Sequence, residues 1–285
     1  MGIILKGRQT SSDFEITIHI NTEYFSLIGN FVEELDLTPL SKCKALLSVN
    51  LSSNYLSEIS LLPLGKCRKI KQIDLSNNHL ISIDLTPLAN CKQLEVLNLQ
   101  NNLLTDVDLT PLENNKNLKS INLDYNLIKD LNFSSEIKWD KLEEFRIFSN
   151  DLTKIDLKTF ENCKMLKELD LGDNYITKIN LSPIMNYNNI ESISLERNRL
   201  KKLNLTKFGD RHKNYVLCTD PDVKIKGLKT HSEDEKSSII YSKGKYYSPE
   251  QEMSLDQFFN NVKNEKRLKR DKILAQINEI ENNSI

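Results

Sequence analysis

Eight asparagines recur at an unbroken interval of 24 residues, and this interval constrains the fold more than any other feature of the chain. They are Asn30, Asn54, Asn78, Asn102, Asn126, Asn150, Asn174 and Asn198. Apolar residues lie five and three positions before each of them, as Leu97 and Leu99 do before Asn102. A fixed period of about 20–50 residues is typical of a solenoid, in which stacked units bury together the apolar faces that none could bury alone.

Within each unit, the apolar spacing changes at the asparagine. The period of two before it predicts a short strand with one buried face, near residues 49–51, 73–75 and 97–99. After Asn102 the apolar residues are more widely and unevenly spaced, which indicates a coil that turns back around a narrow core. In four units a hydroxyl residue precedes a proline, as in Thr86-Pro87, and this pair predicts an N-cap and the start of a short outer helical turn.

These residues resemble the consensus LxxLxLxxNxL of the leucine-rich repeat family, with Ile, Val and Phe in some Leu positions, over about residues 22–213. The units are similar to the intracellular SDS22-like class but are two residues longer. The resemblance implies an α/β fold, a curved right-handed leucine-rich repeat solenoid with a parallel β-sheet on its concave face. It also implies that the usual activity is protein binding.

The pattern divides the chain into five parts. Residues 1–21 are predicted to form an N-terminal cap strand, because Phe14, Ile16 and Ile18 alternate with polar residues. Eight repeats follow over 22–213, then a C-terminal cap over 214–229 and a linker over 230–247. A helical tail is predicted over 248–285, with Ser248 and Pro249 as its start.

One repeat position holds Cys43, Cys67, Cys91 and Cys163, and in the irregular fifth unit it holds Trp139. The cysteines are expected to be small buried core residues with free thiols, because a column along a solenoid cannot surround one zinc ion. Trp139 has two interpretations: it packs over a coil that lacks the proline turn, or a partner contacts this unit.

Motifs of common enzyme and cofactor sites, such as GxGxxG, GxxxxGK[ST], HExxH and GxSxG, are absent from the sequence. We therefore expect no catalytic activity, no cofactor and no metal site. A net charge of −1, from 39 basic and 40 acidic residues, makes nucleic acid an unlikely partner. The absence of a long apolar run or a signal-peptide core predicts a cytoplasmic protein without a transmembrane segment.

Side chains six, four and two positions before each asparagine should point away from the core, onto the concave face. From Asp124 onward these positions become acidic around an aromatic residue and an arginine. The predicted partner-binding residues are Asp124, Tyr125, Glu144, Arg146, Phe148, Glu168, Asp170 and Glu196. Aromatic and arginine anchors dominate interface energies, so we expect a protein partner, and the acidic positions favour one with a basic surface. The alternative is a solvated face with ordinary charge scatter.

The tail has apolar ends and a basic centre, KNEKRLKRDK (263–272). The apolar residues at helical spacing are Leu255, Phe258, Phe259, Val262, Ile273, Ile277 and Ile280. Three interpretations stay open: docking on the acidic half of the solenoid around Asp124, Glu144 and Asp170, a solvated helix that serves a partner, and contact with nucleic acid or an acidic membrane.

The preferred function is thus a non-catalytic protein-interaction module or scaffold. Two alternatives are an adaptor that binds a polyanion, either nucleic acid or an acidic membrane, through the basic C-terminal helix, and a regulatory subunit of an enzyme. Steep loss of affinity with salt would distinguish polyanion binding from an apolar contact.

The assigned core face can be tested with Leu99→Asp. A charge in the narrow core should cost most of a typical folding stability of about 5–15 kcal/mol, because an unpaired carboxylate loses its hydration there. Thermal unfolding checks this. A variant that melts within a few degrees of wild type would place Leu99 outside the core.

Overall fold

Ten short parallel strands, contributed by successive coils, form one continuous sheet on the concave face of the solenoid in the computed structural model. The structure describes residues 1–134, 136–184, 186–206, 216–226, 239–241, 245–248 and 251–283. The ten strands are Tyr24–Ser26, Ser48–Asn50, Gln72–Asp74, Val96–Asn98, Ser120–Asn122, Glu144–Arg146, Glu168–Asp170, Ser192–Ser194, Val216–Thr219 and Ile239–Tyr241. Their spatial order is their order in the sequence. The leucine-rich repeat solenoid expected from the sequence is confirmed.

The 24-residue period sets the register of the sheet. Val49, Ile73 and Leu97 are direct neighbours on adjacent strands, and all three are fully buried. Since each coil repeats the previous one, the inward side chains stack into columns and form a single apolar core that extends from Ile3 to Val223. Leu99 lies in this core with no exposed surface.

The repeating asparagine joins each coil to the one before it. The Asn126 amide nitrogen donates to Leu99 O of the preceding coil at 3.0 Å and to Leu123 O of its own coil at 3.0 Å. Its side-chain oxygen accepts from Leu104 N at 3.2 Å. The same pattern recurs from Asn54 to Asn198. These bonds satisfy turn backbone that has no strand partner inside a dry core.

The ladder changes at both ends. Asn30, in the first coil, is exposed and donates to Ile28 O within its own turn. After Asn198, the carboxylate of Asp220 accepts from Arg197 N at 2.7 Å and from Asn198 N at 3.2 Å. An acidic side chain thus takes over the acceptor role of the asparagine oxygen after the eighth repeat.

The cysteine column is also a column of hydrogen-bond donors. Cys67 Sγ lies 3.2 Å from Leu40 O of the preceding coil, and Cys91 Sγ lies 3.5 Å from Leu64 O. At the equivalent position Trp139 Nε1 donates to Leu112 O at 2.8 Å. Trp139 is fully buried, which agrees with the packing interpretation of this residue rather than the partner-contact one. All five cysteines are free.

Short 3-10 turns on the outer side return six of the described coils to the next strand. They span Thr38–Lys42, Leu62–Lys66, Thr86–Asn90, Thr110–Leu112, Leu157–Phe160 and Ser182–Ile184. The predicted hydroxyl N-cap is wrong: the residue at that position is Leu85 in the third turn, and it makes no side-chain cap. Instead Asp84 Oδ1 accepts from Thr86 N at 2.9 Å. An aspartate side chain commonly accepts from the backbone N–H two residues later in the chain, and here that N–H opens the turn.

Two further pairs of parallel strands lie away from the concave sheet. Asp106–Asp108 pairs with Asp130–Asn132, and Lys202–Asn204 pairs with Lys224–Lys226. These pairs form between equivalent segments of neighbouring coils.

The N-terminal cap is a hairpin of Gly2–Gln9 and Ser12–His19, and Val32–Leu35 of the first coil pairs with its first strand. The sequence pattern pointed to Phe14, Ile16 and Ile18 as the closing residues, and these are half-buried. The buried residues come from the other strand: Ile3 is 5% exposed and Leu5 is fully buried. The first strand lies between its two partners and therefore covers the open end of the core.

The tail contains one helix, Leu255–Asn283. The helix begins later than the predicted Ser248, because Lys245–Ser248 and Gln251–Ser254 pair as antiparallel strands. Ile239–Tyr241 adds the tenth strand to the sheet inside the predicted linker over 230–247. Residues 230–238 and 242–244 of that linker lie outside the described residues, and the proposed part boundaries stay predictions.

The ladder contact can be tested with Asn126→Ala. The change leaves Leu104 N without a partner in a dry core and removes one of the two asparagine donors to Leu99 O and to Leu123 O. The free energy of unfolding should therefore fall by about 1–3 kcal/mol. Urea unfolding measures this against Asn188→Ala, a matched change at an exposed asparagine. Equal midpoints for the two variants would contradict the role of the ladder.

Candidate functional site

Three neighbouring strands bring an arginine and several carboxylates together on the concave face. Asn122, Arg146 and Asp170 are direct neighbours in the register of these strands. Arg146 Nε lies 2.9 Å from Asp124 Oδ2, and its Nη2 lies 3.6 Å from Asp170 Oδ2. Arg146 Nη1 also pairs with Glu168. One guanidinium thus joins three carboxylates from the two coils that flank its own.

The carboxylates in this network are strongly desolvated. Asp124 is 2% exposed, and burial raises its pKa to about 6 although Arg146 and Phe148 N both stabilise the charged form. Burial also raises the pKa of Asp170, against the opposing effects of Gly172 N and Arg146. Burial therefore disfavours the charged form of these carboxylates, and the positive charge of Arg146 offsets part of that cost.

An aromatic pair adjoins the network. The Tyr125 and Phe148 rings lie 5.5 Å apart in an edge-to-face arrangement. Gly172 lies beside them, and a Cβ at that position would be 2.9 Å from Phe148 Cδ2. The glycine therefore makes room for the phenylalanine ring, which remains half-buried.

The other predicted residues lie on the same or adjoining strands. Glu144 is exposed and accepts from Ser120 Oγ at 3.1 Å. Glu196 accepts from Ser194 Oγ at 2.9 Å, and burial raises its pKa. The structure thus brings all eight predicted positions onto one continuous surface over four coils. Whether this surface binds a partner stays a prediction.

The C-terminal helix lies against the turns where the strands end. We call the residues it contacts there the docking surface: Asn101, Asn102, Thr105, Tyr125, Asp151, Asp173 and Tyr175. Arg267 Nη2 lies 2.7 and 2.8 Å from the two oxygens of Asp151, which is 4% exposed. Lys263 Nζ lies 3.1 Å from Asp173 Oδ2 and 5.0 Å from the centre of the Tyr175 ring.

Backbone geometry shapes the docking surface. Asn101, Tyr125 and Asp173 have φ values of 53°, 56° and 49°, in the left-handed region. Such a turn after each strand is costly for residues with a Cβ, so the ladder bonds must hold it. Three backbone oxygens at these turns accept from the helix: Asn102 O and Tyr125 O from Lys266, and Asp173 O from Lys263.

Lys266 is enclosed by three oxygens. Its Nζ lies 2.6 Å from Asn101 Oδ1, 2.6 Å from Tyr125 O and 3.1 Å from Asn102 O. Burial lowers the pKa of Lys266 to about 7. Three acceptors match the three N–H donors of an ammonium group, so this geometry favours the charged form against the desolvation.

The docking residues differ from those proposed for the tail from the sequence. Asp151 and Asp173 pair with its cations, whereas Asp124 and Asp170 pair with Arg146. Asp151 was missed because only columns before each asparagine were considered, and it follows Asn150 directly. A comparison of the spacing of the tail cations with the acids next to the ladder asparagines could have identified Asp151 from the sequence. The side chains of Leu255, Phe258, Phe259 and Ile280 lie outside the described residues.

Among the described residues, no group of three or more His, Cys, Asp and Glu side chains is placed to hold a metal ion. None of the described helices combines the length and the apolar character needed to span a bilayer.

The repeats match known family models in two regions. Residues 68–111 match a model described as leucine rich repeats in two copies, and residues 140–207 match one described as leucine rich repeat. The chain is a leucine-rich repeat protein. The SDS22-like subclass stays a prediction. A search of curated protein sequences finds no match.

Solved leucine-rich repeat structures share the fold. Internalin C2 of Listeria monocytogenes is 24% identical with a TM-score of 0.56, over 70% of this chain and 82% of that one. The plant peptide hormone receptor RGFR1, solved with RGF2, is 21% identical with a TM-score of 0.57, over 71% of this chain and 30% of the receptor. FLRT2, in an octameric complex with Latrophilin 3 and Unc5D, is 19% identical with a TM-score of 0.58, over 74% and 71%.

The network on the concave face predicts a pH-dependent effect of Arg146→Gln. The folded pKa of Asp124 is already raised to about 6, so its contribution to stability is present at low pH and lost as pH rises through that value. Without Arg146 the pKa should rise further, because an attractive charge is removed. The loss in melting temperature should therefore be larger at pH 8 than at pH 5.

Lys178→Gln is the matched control, because it removes one positive charge from an exposed position of the same solenoid. Melting curves of both variants from pH 4 to pH 9 make the comparison. A loss for Arg146→Gln that is the same at pH 5 and pH 8 would contradict the electrostatic role of Arg146.

Proposed function

We propose that this protein is a non-catalytic protein-interaction module or scaffold that binds its partner on the concave face. The carrying observation is the arrangement of Asp124, Glu168 and Asp170 around Arg146, beside the Phe148 and Tyr125 rings. An aromatic pair next to buried polar groups is the composition that interface hot spots favour.

The charge of this network favours a basic partner surface. Three carboxylates and one guanidinium leave an excess of two negative charges when all are ionised, in a setting where burial raises the pKa of Asp124 and Asp170. A cation from a partner would relieve this desolvation, as Arg146 does in part. Arg146 itself is engaged by its own carboxylates, so Phe148 and Tyr125 are the proposed apolar anchors.

Two of the structural relatives were solved with protein or peptide partners: the plant receptor with RGF2, and FLRT2 with Latrophilin 3 and Unc5D. These associations belong to those proteins, and they support the proposal only through the shared fold.

The alternatives receive less support. A polyanion adaptor needs free cations in the tail, but Lys263 is 2% exposed and Arg267 is paired with Asp151. No contact favours a regulatory subunit of an enzyme over other kinds of binding protein. Five free thiols support the proposed cytoplasmic location, because disulfides are rare in reducing compartments.

Site-specific crosslinking tests the location of the interface. A photo-crosslinking amino acid replaces Phe148 on the concave face or Leu62, which is 70% exposed on the outer turn. The proposal expects a specific protein adduct from position 148 and none from position 62. Adducts from position 62 alone would place the interface on the outer side.

Phe148→Ala should weaken binding of the crosslinked partner by about 2 kcal/mol, or roughly 30-fold in Kd, if the ring is an anchor. Isothermal titration calorimetry measures the change, and circular dichroism confirms that the fold is intact. Met165→Ala is the control, because Met165 is also large and apolar but 42% exposed outside the concave strands. Equal affinities for both variants would remove Phe148 from the interface.

A further inference from the structure

The C-terminal helix presents its cations to the solenoid along one stripe. Lys263, Lys266, Arg267 and Arg270 occupy positions i, i+3, i+4 and i+7, which lie on one face of a helix. Each of the four reaches a residue of the docking surface. The spacing of these cations therefore matches the spacing of acceptors on successive coils.

The acceptors distinguish lysine from arginine. Around Lys266, three oxygens converge on one point within 3.1 Å, a geometry that suits a compact ammonium group. At Arg267, both oxygens of a single carboxylate face one guanidinium nitrogen at 2.7 and 2.8 Å. An arginine at position 266 would not fit the three-oxygen enclosure. A lysine at position 267 would lose the guanidinium contact with the Asp151 carboxylate.

The contacts of the cation stripe are polar, and they leave apolar surface elsewhere on the helix. Leu268, between the docked cations, is 63% exposed, and among the described side chains none of the helix belongs to the apolar core of the solenoid. Lys263, Asp151 and Asp173 are buried, so the cost of removing these charges from water offsets much of the attraction between them and leaves each contact a small net contribution. Attachment to the same chain raises the effective concentration of the helix to about the millimolar range, which is enough to keep a weak segment bound.

We propose that the docking surface is a recognition site for a basic amphipathic helix of a partner protein, with the pattern Lys-x-x-Lys-Arg-x-x-Arg, and that the protein's own tail occupies this site until the partner displaces it. This inference goes beyond the proposed function, because it adds a second binding surface and names the chemical class of its partner. It also places the decisive contacts at Asp151, Asp173 and the oxygens around Lys266, rather than at Phe148. The partner helix would gain affinity over the tail through apolar residues next to its cation stripe.

A labelled peptide of residues 255–283 serves as the probe, and the full-length chain is the receptor. The double substitution Lys263→Glu/Arg267→Glu in the full-length chain weakens the docking of its own tail and leaves the residues of the docking surface unchanged. This variant should bind the peptide at least 10-fold more tightly than the wild-type chain, because the internal competitor is weakened. Fluorescence anisotropy measures both affinities. Equal affinity for the two chains, or no binding by the variant, would overturn the proposal.

Added substitutions locate the contact. In the variant chain, Asp151→Lys should abolish peptide binding, and Asp151→Asn, a milder change, should weaken it several-fold; melting curves show that both fold. A peptide with Lys266→Arg should bind more weakly than the unchanged peptide. If Phe148→Ala weakens peptide binding and Asp151→Asn does not, the peptide binds at the concave site and the docking surface is overturned.

Light scattering of the wild-type chain addresses exchange of tails between copies. The proposal expects a monomer at concentrations where the tail is bound within the same chain. A dimer that dissociates in Lys263→Glu/Arg267→Glu would mean that the tail of a second copy occupies the docking surface, and this would overturn a partner protein as the occupant. If the Lys263→Glu/Arg267→Glu chain fails to bind the peptide while position 148 still gives a protein crosslink, this inference is overturned and the proposed function stands.

Discussion

The whole solenoid depends on how turn backbone is satisfied inside a core that is only one coil wide. After each of the first eight strands the chain turns through a left-handed residue, and backbone groups such as Leu104 N lie beyond the hydrogen-bonded strands. The ladder asparagine supplies both a donor and an acceptor at this point, as Asn126 does for Leu99 O and Leu104 N. Because each bond also crosses to the preceding coil, local satisfaction and stacking are the same interaction.

The opposite side of the core meets the same requirement with different chemistry. Cys67, Asn115, Trp139 and Tyr187 each donate to a carbonyl 27 residues earlier. A thiol, an amide, an indole and a phenol differ greatly in volume, yet each carries a donor. The fifth unit accommodates Trp139 by packing Phe133 edge-on against it, with ring centres 6.4 Å apart. Donor capacity therefore explains this column better than size.

Two groups of acids serve different purposes because of where each column points. Asp124 and Asp170 lie on the concave strands and share Arg146, whereas Asp151 and Asp173 lie beside the ladder asparagines and face the tail. Arg197 also pairs with Asp173 at 3.0 Å, so the lysine of the tail enters a site that already holds a cation. Burial and pairing, rather than the number of acids, decide which surface remains open to a partner.

The sequence by itself determined the repeat, the buried columns and the family, because a 24-residue period places equivalent side chains on the same face of every coil. It also placed the eight concave residues on one surface. Only the tertiary structure decided which strand of the N-terminal hairpin covers the core, why the Cys43 column needs donors, and which acids the tail meets. Those outcomes depend on distances between side chains of different coils, and the register within one coil does not specify them.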